Sequence, residues 1–392
     1  MTTRMTLSRE HSAMRSALVA LAIVLAGWLA GGASLDAQAN IGSQGFGYPP
    51  GQLSARAYAS GGAVAEMDPW SPVNPASVGM LGTRLLFFQI EPEFRTVQSA
   101  GGTDRTTTAR YPLVFGAMPV GQRWVVSVGA STLLDRSAAT EFQTMQRTGA
   151  DSVGVSTTFR VNGAINDLRL AAAWTPQSWL RVGVGAHALT GRNLVSVLES
   201  FSDSTAFANL NLQRNLSFSG AAVSAGAQLF TKTVLAAVSV RHGGSMHVSA
   251  GDTVISSANA PDRLGVSLAY TGIANSAIAV RTSHENWSSL GGLGSAGFRA
   301  VDAWDTSVGG ELAGPRLGAH PLMLRAGARR RTLPFQAEGR QVDEKSIMGG
   351  LGTFWAAGHV LTDLAVIRAS RDASLPASEK AWTISIGISI RQ

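Results

Sequence analysis

Five arginines, Arg169, Arg181, Arg241, Arg325 and Arg329, fall on one face of stretches whose other face is apolar, and Arg391 repeats the pattern near the carboxy end. A guanidinium offers a planar fork of donors that grips a carboxylate through two parallel bonds. The set can therefore bind the carboxylate of a ligand, or pair with acids on the same faces, such as Asp305, Glu311 and Asp363, and tie parts of the chain together. Both readings stay open on sequence alone. A second group lies earlier: Asp68, then Asn74-Pro75-Ala76. Pro75 lacks an N–H and biases Asn74 towards extended backbone, so the Asn74 amide serves either as a clasp on neighbouring backbone or as a plain turn former.

Other chemistry is missing. The chain has no cysteine, which excludes disulfides, thiolate metal sites and thiol catalysis. It has no G-x-S-x-G elbow and no H-E-x-x-H pair, and His242, His247, His284 and His359 stand singly. Gly183-Val184-Gly185 lies inside an alternating stretch and does not make a phosphate loop. No catalytic residue, metal or cofactor is expected. The net charge of +7 is dispersed, with no basic run beyond Arg329-Arg330-Arg331, so no nucleic-acid partner is expected either.

The elements that carry these residues are strands. From about residue 84 the chain repeats stretches with period two. The clearest puts Trp382, Ile384, Ile386, Ile388 and Ile390 on one face and Thr383, Ser385, Gly387, Ser389 and Arg391 on the other. Fourteen such segments are predicted: 84–98, 105–118, 122–135, 163–175, 178–192, 216–230, 232–245, 260–271, 276–287, 301–313, 320–333, 345–357, 359–370 and 380–391. Their connections alternate short and mostly long, the longest at 136–162 and 193–215. An even number of strands with short turns on one rim and longer loops on the other is the pattern of a membrane barrel. Only 15% of residues are charged, against roughly 25% in soluble proteins. Seven of the nine tryptophans, Trp124, Trp174, Trp179, Trp287, Trp304, Trp355 and Trp382, lie near segment ends, where an interfacial girdle needs them.

The amino terminus sets the compartment. Arg4, Arg9 and Arg15 precede the apolar run Ala17 to Ala30, and Ala37-Gln38-Ala39 follows. That order is a secretory signal cut after Ala39, the apolar run being shorter than the roughly 20 residues a spanning helix needs. The predicted organisation is a signal peptide over 1–39, a plug over 40–83 and a transmembrane barrel over 84–392, in a bacterial outer membrane. Residues 40–83 do not alternate and are too few for a core of their own, but enough to fill a lumen.

With those pieces in place the chain resembles the FadL/TodX family of outer-membrane hydrophobic-compound transporters. The resemblance rests on Gly61-Gly62-Ala63, Asp68 and Asn74-Pro75-Ala76 at one end of the mature chain. At the other end it rests on Leu324-Arg325-Ala326-Gly327, Leu333-Pro334-Phe335, Gly349-Gly350-Leu351-Gly352 and Leu361-Thr362-Asp363-Leu364-Ala365. The resemblance implies an all-β fold, a 14-stranded antiparallel barrel with an amino-terminal hatch in its lumen, passing long-chain fatty acids or aromatic hydrocarbons by diffusion. It implies as partners a hydrophobic small molecule and the outer-membrane lipid and lipopolysaccharide around the barrel. The chain departs from the family in ending Ile390-Arg391-Gln392 without a terminal aromatic residue. A related 14-strand barrel, resembling the PorV subunit of type IX secretion, shares the Asn-Pro-Ala layout and implies instead a secretion-associated protein that binds protein partners through the long loops at 136–162 and 193–215.

Overall fold

The computed structural model describes residues 46–99, 102–148, 151–202, 207–293, 300–318, 320–337, 339–372 and 378–392. The expected signal peptide and the first residues of the expected plug lie outside the described residues. After a helix, α1 (Ala55–Ala59), and a 3-10 helix (Pro75–Met80), sixteen strands follow. They are β1 (Leu85–Ser99), β2 (Gly102–Val120), β3 (Trp124–Asp135), β4 (Ala138–Thr148), β5 (Asp151–Gln177), β6 (Leu180–Phe201), β7 (Leu210–Phe230) and β8 (Val234–Ala250). The second half adds β9 (Thr253–Asn259), β10 (Arg263–Tyr270), β11 (Ser276–Glu285), β12 (Ala303–Leu317), β13 (His320–Ala337), β14 (Arg340–Trp355), β15 (Val360–Asp372) and β16 (Ser378–Arg391).

Fourteen of these close a ring of antiparallel neighbours. β1 pairs with β16, from Leu85↔Arg391 to Gln98↔Ser378, and β8 pairs directly with β10. β4 pairs with β5 and β9 with β8, each outside the ring. Every one of the fourteen predicted segments coincides with a ring strand. The expected loops at 136–162 and 193–215 are instead largely strand, because β5 to β7 continue past the ring and β4 pairs with the β5 extension. The asymmetry between the rims is thus one of strand extension as much as of loop length. Connections of two to five residues join strands at the near rim, while the far rim carries the extensions.

The barrel is inside out relative to a soluble protein. Its exterior presents Val128 at 64% exposure, Leu170 at 62% and Val184 at 62%. Its interior buries Gln89, Glu91, Glu93, Arg95, Arg110, Ser127 and Ser131. Alternation along one strand delivers both faces, and ring closure pairs every ring strand with two neighbours, sparing the lipid an open sheet. No helix among the described residues is long and apolar enough to cross a membrane. Six of the seven tryptophans expected at the interfaces are exposed on the outer wall. Trp124 and Trp174 are ladder partners, stacked at 5.9 Å, near the short-turn rim. Trp287 is the exception: it lies in a 3-10 helix (Trp287–Leu293) after β11, 1% exposed and edge-on to Phe46.

Residues 46–81 fill the lumen, nearly all of them buried. Their passage needs wall positions without side chains. A Cβ at Gly309 would stand 2.1 Å from the Ser60 carbonyl oxygen, and one at Gly327 2.5 Å from the Gly61 nitrogen. Gly61 itself has φ +73°, beside the backbone of Ala328 and Val308. Backbone here lies on backbone. Gly309→Val should therefore cost ~3 kcal/mol or more through overpacking and expose residues 46–81 to protease, whereas Gly82→Ala, with open space around it, should change neither melting temperature nor cleavage.

Candidate functional site in the lumen

The lumenal segment is tied to the wall on every side. Ala55 N–H donates to Gln89 Oε1 on β1 at 2.9 Å, and Gln89 Nε2 donates to the Leu53 carbonyl at 3.0 Å. Gln52 Nε2 donates to Ser131 on β3 and Asp167 on β5, and its Oε1 accepts from Arg241 on β8. Arg56 makes a two-pronged pair with Glu311 on β12, at 2.8 and 2.9 Å. Glu66 accepts from Arg263 on β10, from Arg281 on β11 at 3.2 Å and from Ser239 on β8 at 2.6 Å.

Tyr48 forms the upper anchor. The Arg95, Arg110, Arg331 and Arg371 guanidiniums lie 4.4 to 5.5 Å from its ring centroid, close enough for cation–π attraction. Its hydroxyl donates to Glu344 at 2.9 Å and accepts from Arg331. Glu93 receives Arg95, Arg110 and Arg371, and Glu344 receives Arg331 and Arg371 at 2.6 Å each. Sequence reading missed this group. Its signal was Glu91, Glu93 and Arg95 at every second position of β1, a charged face on a segment whose exterior is apolar.

The predicted residues Asp68 and Asn74 lie further along the same lumenal segment. Asp68 accepts from Ser54 Oγ at 2.6 Å and Ser71 Oγ at 2.7 Å; its Oδ1 accepts no hydrogen bond and lies 3.8 Å from Arg56. Asn74 does both things its type allows. Its Oδ1 accepts from Ala76 N–H at 2.9 Å, capping the 3-10 helix that Pro75 opens, while Nδ2 donates to the Glu66 carbonyl at 2.8 Å and reaches the β8 Val238 carbonyl at 3.4 Å. Gly226 and Gly183 clear the space: a Cβ there would lie 2.0 Å from Asn74 Oδ1 and 2.5 Å from Ala76 N.

Of the five arginines, Arg325 bonds Glu311 at 3.2 Å and Asp363 at 2.6 Å, and Arg329 holds Asp305 through two bonds. Arg241 holds Gln52, and Arg169 donates to the Pro72 carbonyl. Arg181 differs. Its guanidinium lies 4.1 Å over the Phe230 ring, and its Nε and Nη1 have no hydrogen-bond partner. Arg391 lies 5.4 Å from both the Trp70 and Phe354 rings. Asp167, His187 and Ser224 on β5, β6 and β7 form a hydrogen-bonded chain, with His187 Nδ1 2.8 Å from Asp167 and Nε2 2.8 Å from Ser224. The order matches a nucleophile relay, but Asp167 is also the anchor of Gln52, and all three side chains are buried. It ties wall to plug.

Around this charged layer the lumen is apolar. Towards the far rim Val97, Leu133, Leu134, Ile165, Leu189, Phe218, Met246, Leu333, Phe335 and Val342 cluster with Phe46 and Tyr48. Beside it the wall is discontinuous. β2 pairs with β3 only as far as Leu113↔Ser131, although β1 and β2 stay paired to Ser99↔Gly102. Pro112, which has no N–H to donate, stands where pairing stops, and a bulge between Thr132 and Leu134 turns β3. The free edge of β3 pairs instead with the lumenal segment, Tyr48 with Asp135, through bonds of 2.6 and 2.9 Å.

No family model matches the sequence and no curated protein matches it. Solved structures do match the fold. A Pseudomonas aeruginosa FadL homologue is 12% identical, with 88% of this chain and 99% of that chain covered and a TM-score of 0.60. The Ralstonia pickettii toluene transporter TbuX is 15% identical, covering 86% and 98% with a TM-score of 0.56. The P. putida toluene transporter TodX is 13% identical, covering 87% and 98% with a TM-score of 0.57. The chain is a 14-stranded membrane barrel with the fold of the FadL and TodX structures.

Two carboxyls of the lumenal segment respond oppositely to acid. Burial alone would raise Glu66, but Arg263 and Arg281 outweigh it and hold the group below its ordinary 4.5. Burial dominates at Asp68 and lifts it above 3.8 despite Arg56 and the two serines. Glu66 therefore stabilises the fold above pH 4.5 and loses that contribution as pH falls through its lowered folded value. Asp68 binds its proton more tightly folded than unfolded, so its contribution improves as pH falls from its raised value towards 3.8. Melting curves across pH should show Asp68→Asn losing this acid-side gain relative to wild type, while Glu66→Gln, which leaves Arg281 only Asp305 and Arg263 only Glu285, should cost ~3 kcal/mol at neutral pH.

Proposed function

We propose that this protein admits hydrophobic small molecules, long-chain fatty acids or aromatic hydrocarbons, across a bacterial outer membrane by passive diffusion, without catalysis. The observation that carries the reading is the buried apolar cluster at the far rim, closed over by Phe46 and Tyr48, which would line the mouth once they move. A pore for polar solutes lines its mouth with polar groups; this mouth would take up a greasy molecule and refuse a hydrated one. The charged layer beneath blocks a straight descent, because an apolar molecule cannot replace the ion pairs it would have to break. The way out is sideways. Leu133 and Leu134 belong to the apolar layer and sit on the β3 edge that β2 leaves unpaired, so displacing the segment around Phe46 to Tyr48 joins the mouth to the bilayer. In this reading residues 46–83 act as a hatch of which 52–80 stay anchored and the first few described residues move. Arg181, although its Nε and Nη1 are unpartnered, lies at the short-turn rim beside Gly79 and Phe230, off this route; Arg169, Arg241, Arg325 and Arg329 position the hatch.

Cells with and without the protein should differ in uptake of labelled fatty acid or alkylbenzene, and equal rates for every hydrophobic class would refute transport. Because the chain has no other cysteine, a Tyr48→Cys, Asp135→Cys pair can lock the hatch to β3, such a ladder pair having Cα atoms about 5.5 Å apart, within disulfide range. Oxidised cells should take up at least tenfold less than the same cells after reductant.

A further inference from the structure

The outer wall of β13 to β16 carries a basic cluster that transport does not use. Cross-strand partners here follow Val266, Thr282, Thr306, Arg330, Lys345, Ser370 and Lys380 from β10 to β16. All seven project outwards. The row turns from apolar to hydroxyl to basic as the tilt of the strands carries it out of the apolar band. Arg330 and Lys345 are direct ladder partners, an arrangement of like charges that destabilises a sheet unless an anion shares them. Arg368, opposite Ile347, lies 5.3 Å from the ring centroid of Trp382, which anchors it at an interface.

Acids answer only part of this charge. Asp343 pairs with Arg330 at 2.8 Å, and Asp372 stands opposite Asp343. Against these two acids stand four bases, and Lys345 and Lys380 have no ion-pair partner among the described residues. Beside them lies a shallow, open groove on the wall, lined by the exposed Val280, Val308 and Ile347 together with Arg330, Lys345 and Lys380. Apolar floor and basic edge suit a molecule with hydrocarbon at one end and phosphate at the other.

We propose that this groove binds a phosphate-bearing lipid of the leaflet at the far rim: acyl chains on Val280, Val308 and Ile347, phosphate between Arg330, Lys345 and Lys380. The bases reach it by laying their stems along the apolar wall with the charged heads outward. Basic pockets on membrane walls recognise lipid phosphates in this way, and Arg330 adds the planar fork suited to phosphate. The wall thereby fixes the height of the barrel in its membrane on the side opposite the β5 to β7 extensions.

The test uses the full-length protein in nanodiscs of neutral lipid, titrated with a bis-phosphorylated lipid A and followed by native mass spectrometry. Wild type should bind at least tenfold more tightly than an Arg330→Gln, Lys345→Gln, Lys380→Gln variant, and more tightly than it binds the same lipid after enzymatic dephosphorylation. An Arg330→Lys, Lys345→Arg variant should retain binding, separating charge from a folding defect. Equal binding by wild type and the triple-Gln variant overturns the proposal. So does equal binding of the dephosphorylated lipid, or displacement by millimolar inorganic phosphate alone, which would mark a phosphate site without use for the chains.

Discussion

A charge moved out of water costs several kcal/mol unless a partner and hydrogen bonds replace the lost solvation, and the lumen of this barrel buries a whole layer of charges under that condition. Glu93, Glu344, Glu66, Asp305 and Glu311 are each met by at least two arginines. Several arginines are shared between two acids, Arg371 between Glu93 and Glu344 and Arg281 between Glu66 and Asp305, so removing one member is felt through the network. The chain spends few charges overall and directs many of them inwards, because its outer wall faces lipid and has little use for them.

The rest of the architecture serves that layer. Strand register decides who meets whom: Arg325 on β13 and Asp363 on β15 touch across β14 because Gly352 leaves room, a Cβ there falling 2.3 Å from Asp363 Oδ1 and 2.7 Å from Arg325 Nη1. Gly350 gives way to Ala59 in the same manner. The lumenal segment is consequently held by fit as well as charge over residues 52–80. Its first described residues are held by Phe46 against Trp287 and by Tyr48, which pairs with the β3 edge, bonds Glu344 and sits among four arginines. Opening beside β3 therefore has to release the Tyr48 anchor, a local event distinct from unfolding the rest of the segment.

Much of this was legible in the sequence, and the limits have physical causes. Period two revealed all fourteen ring strands because lipid outside and polar lumen inside enforce alternation. β4 and β9 escaped because strands beyond the ring have no lipid face, and Ala138–Thr148 and Thr253–Asn259 show no greasy side. The motifs around Arg325, Gly350 and Asp363 pointed to the right surface, but the pairing of Arg325 with Asp363 depends on a register no local pattern encodes. Tyr48 and Glu66 left no trace because an irregular segment has no period, and their importance comes from the walls they reach. Trp287 was misplaced for a related reason: proximity to a strand end suggested the interface, while the 3-10 helix after β11 turned the ring inwards.

On the proposed route residues 52–80 stay fixed while residues 46–48 open from the β3 edge beside Asp135 by releasing Tyr48 from its arginines and Glu344. Amide hydrogen exchange on the protein in nanodiscs reads this directly. Protection over 54–80 should be comparable to that of the ring strands, with Tyr48, Asp135 and their neighbours exchanging orders of magnitude faster. Uniform exchange across 46–80, whether uniformly fast or as slow as the wall, would contradict it.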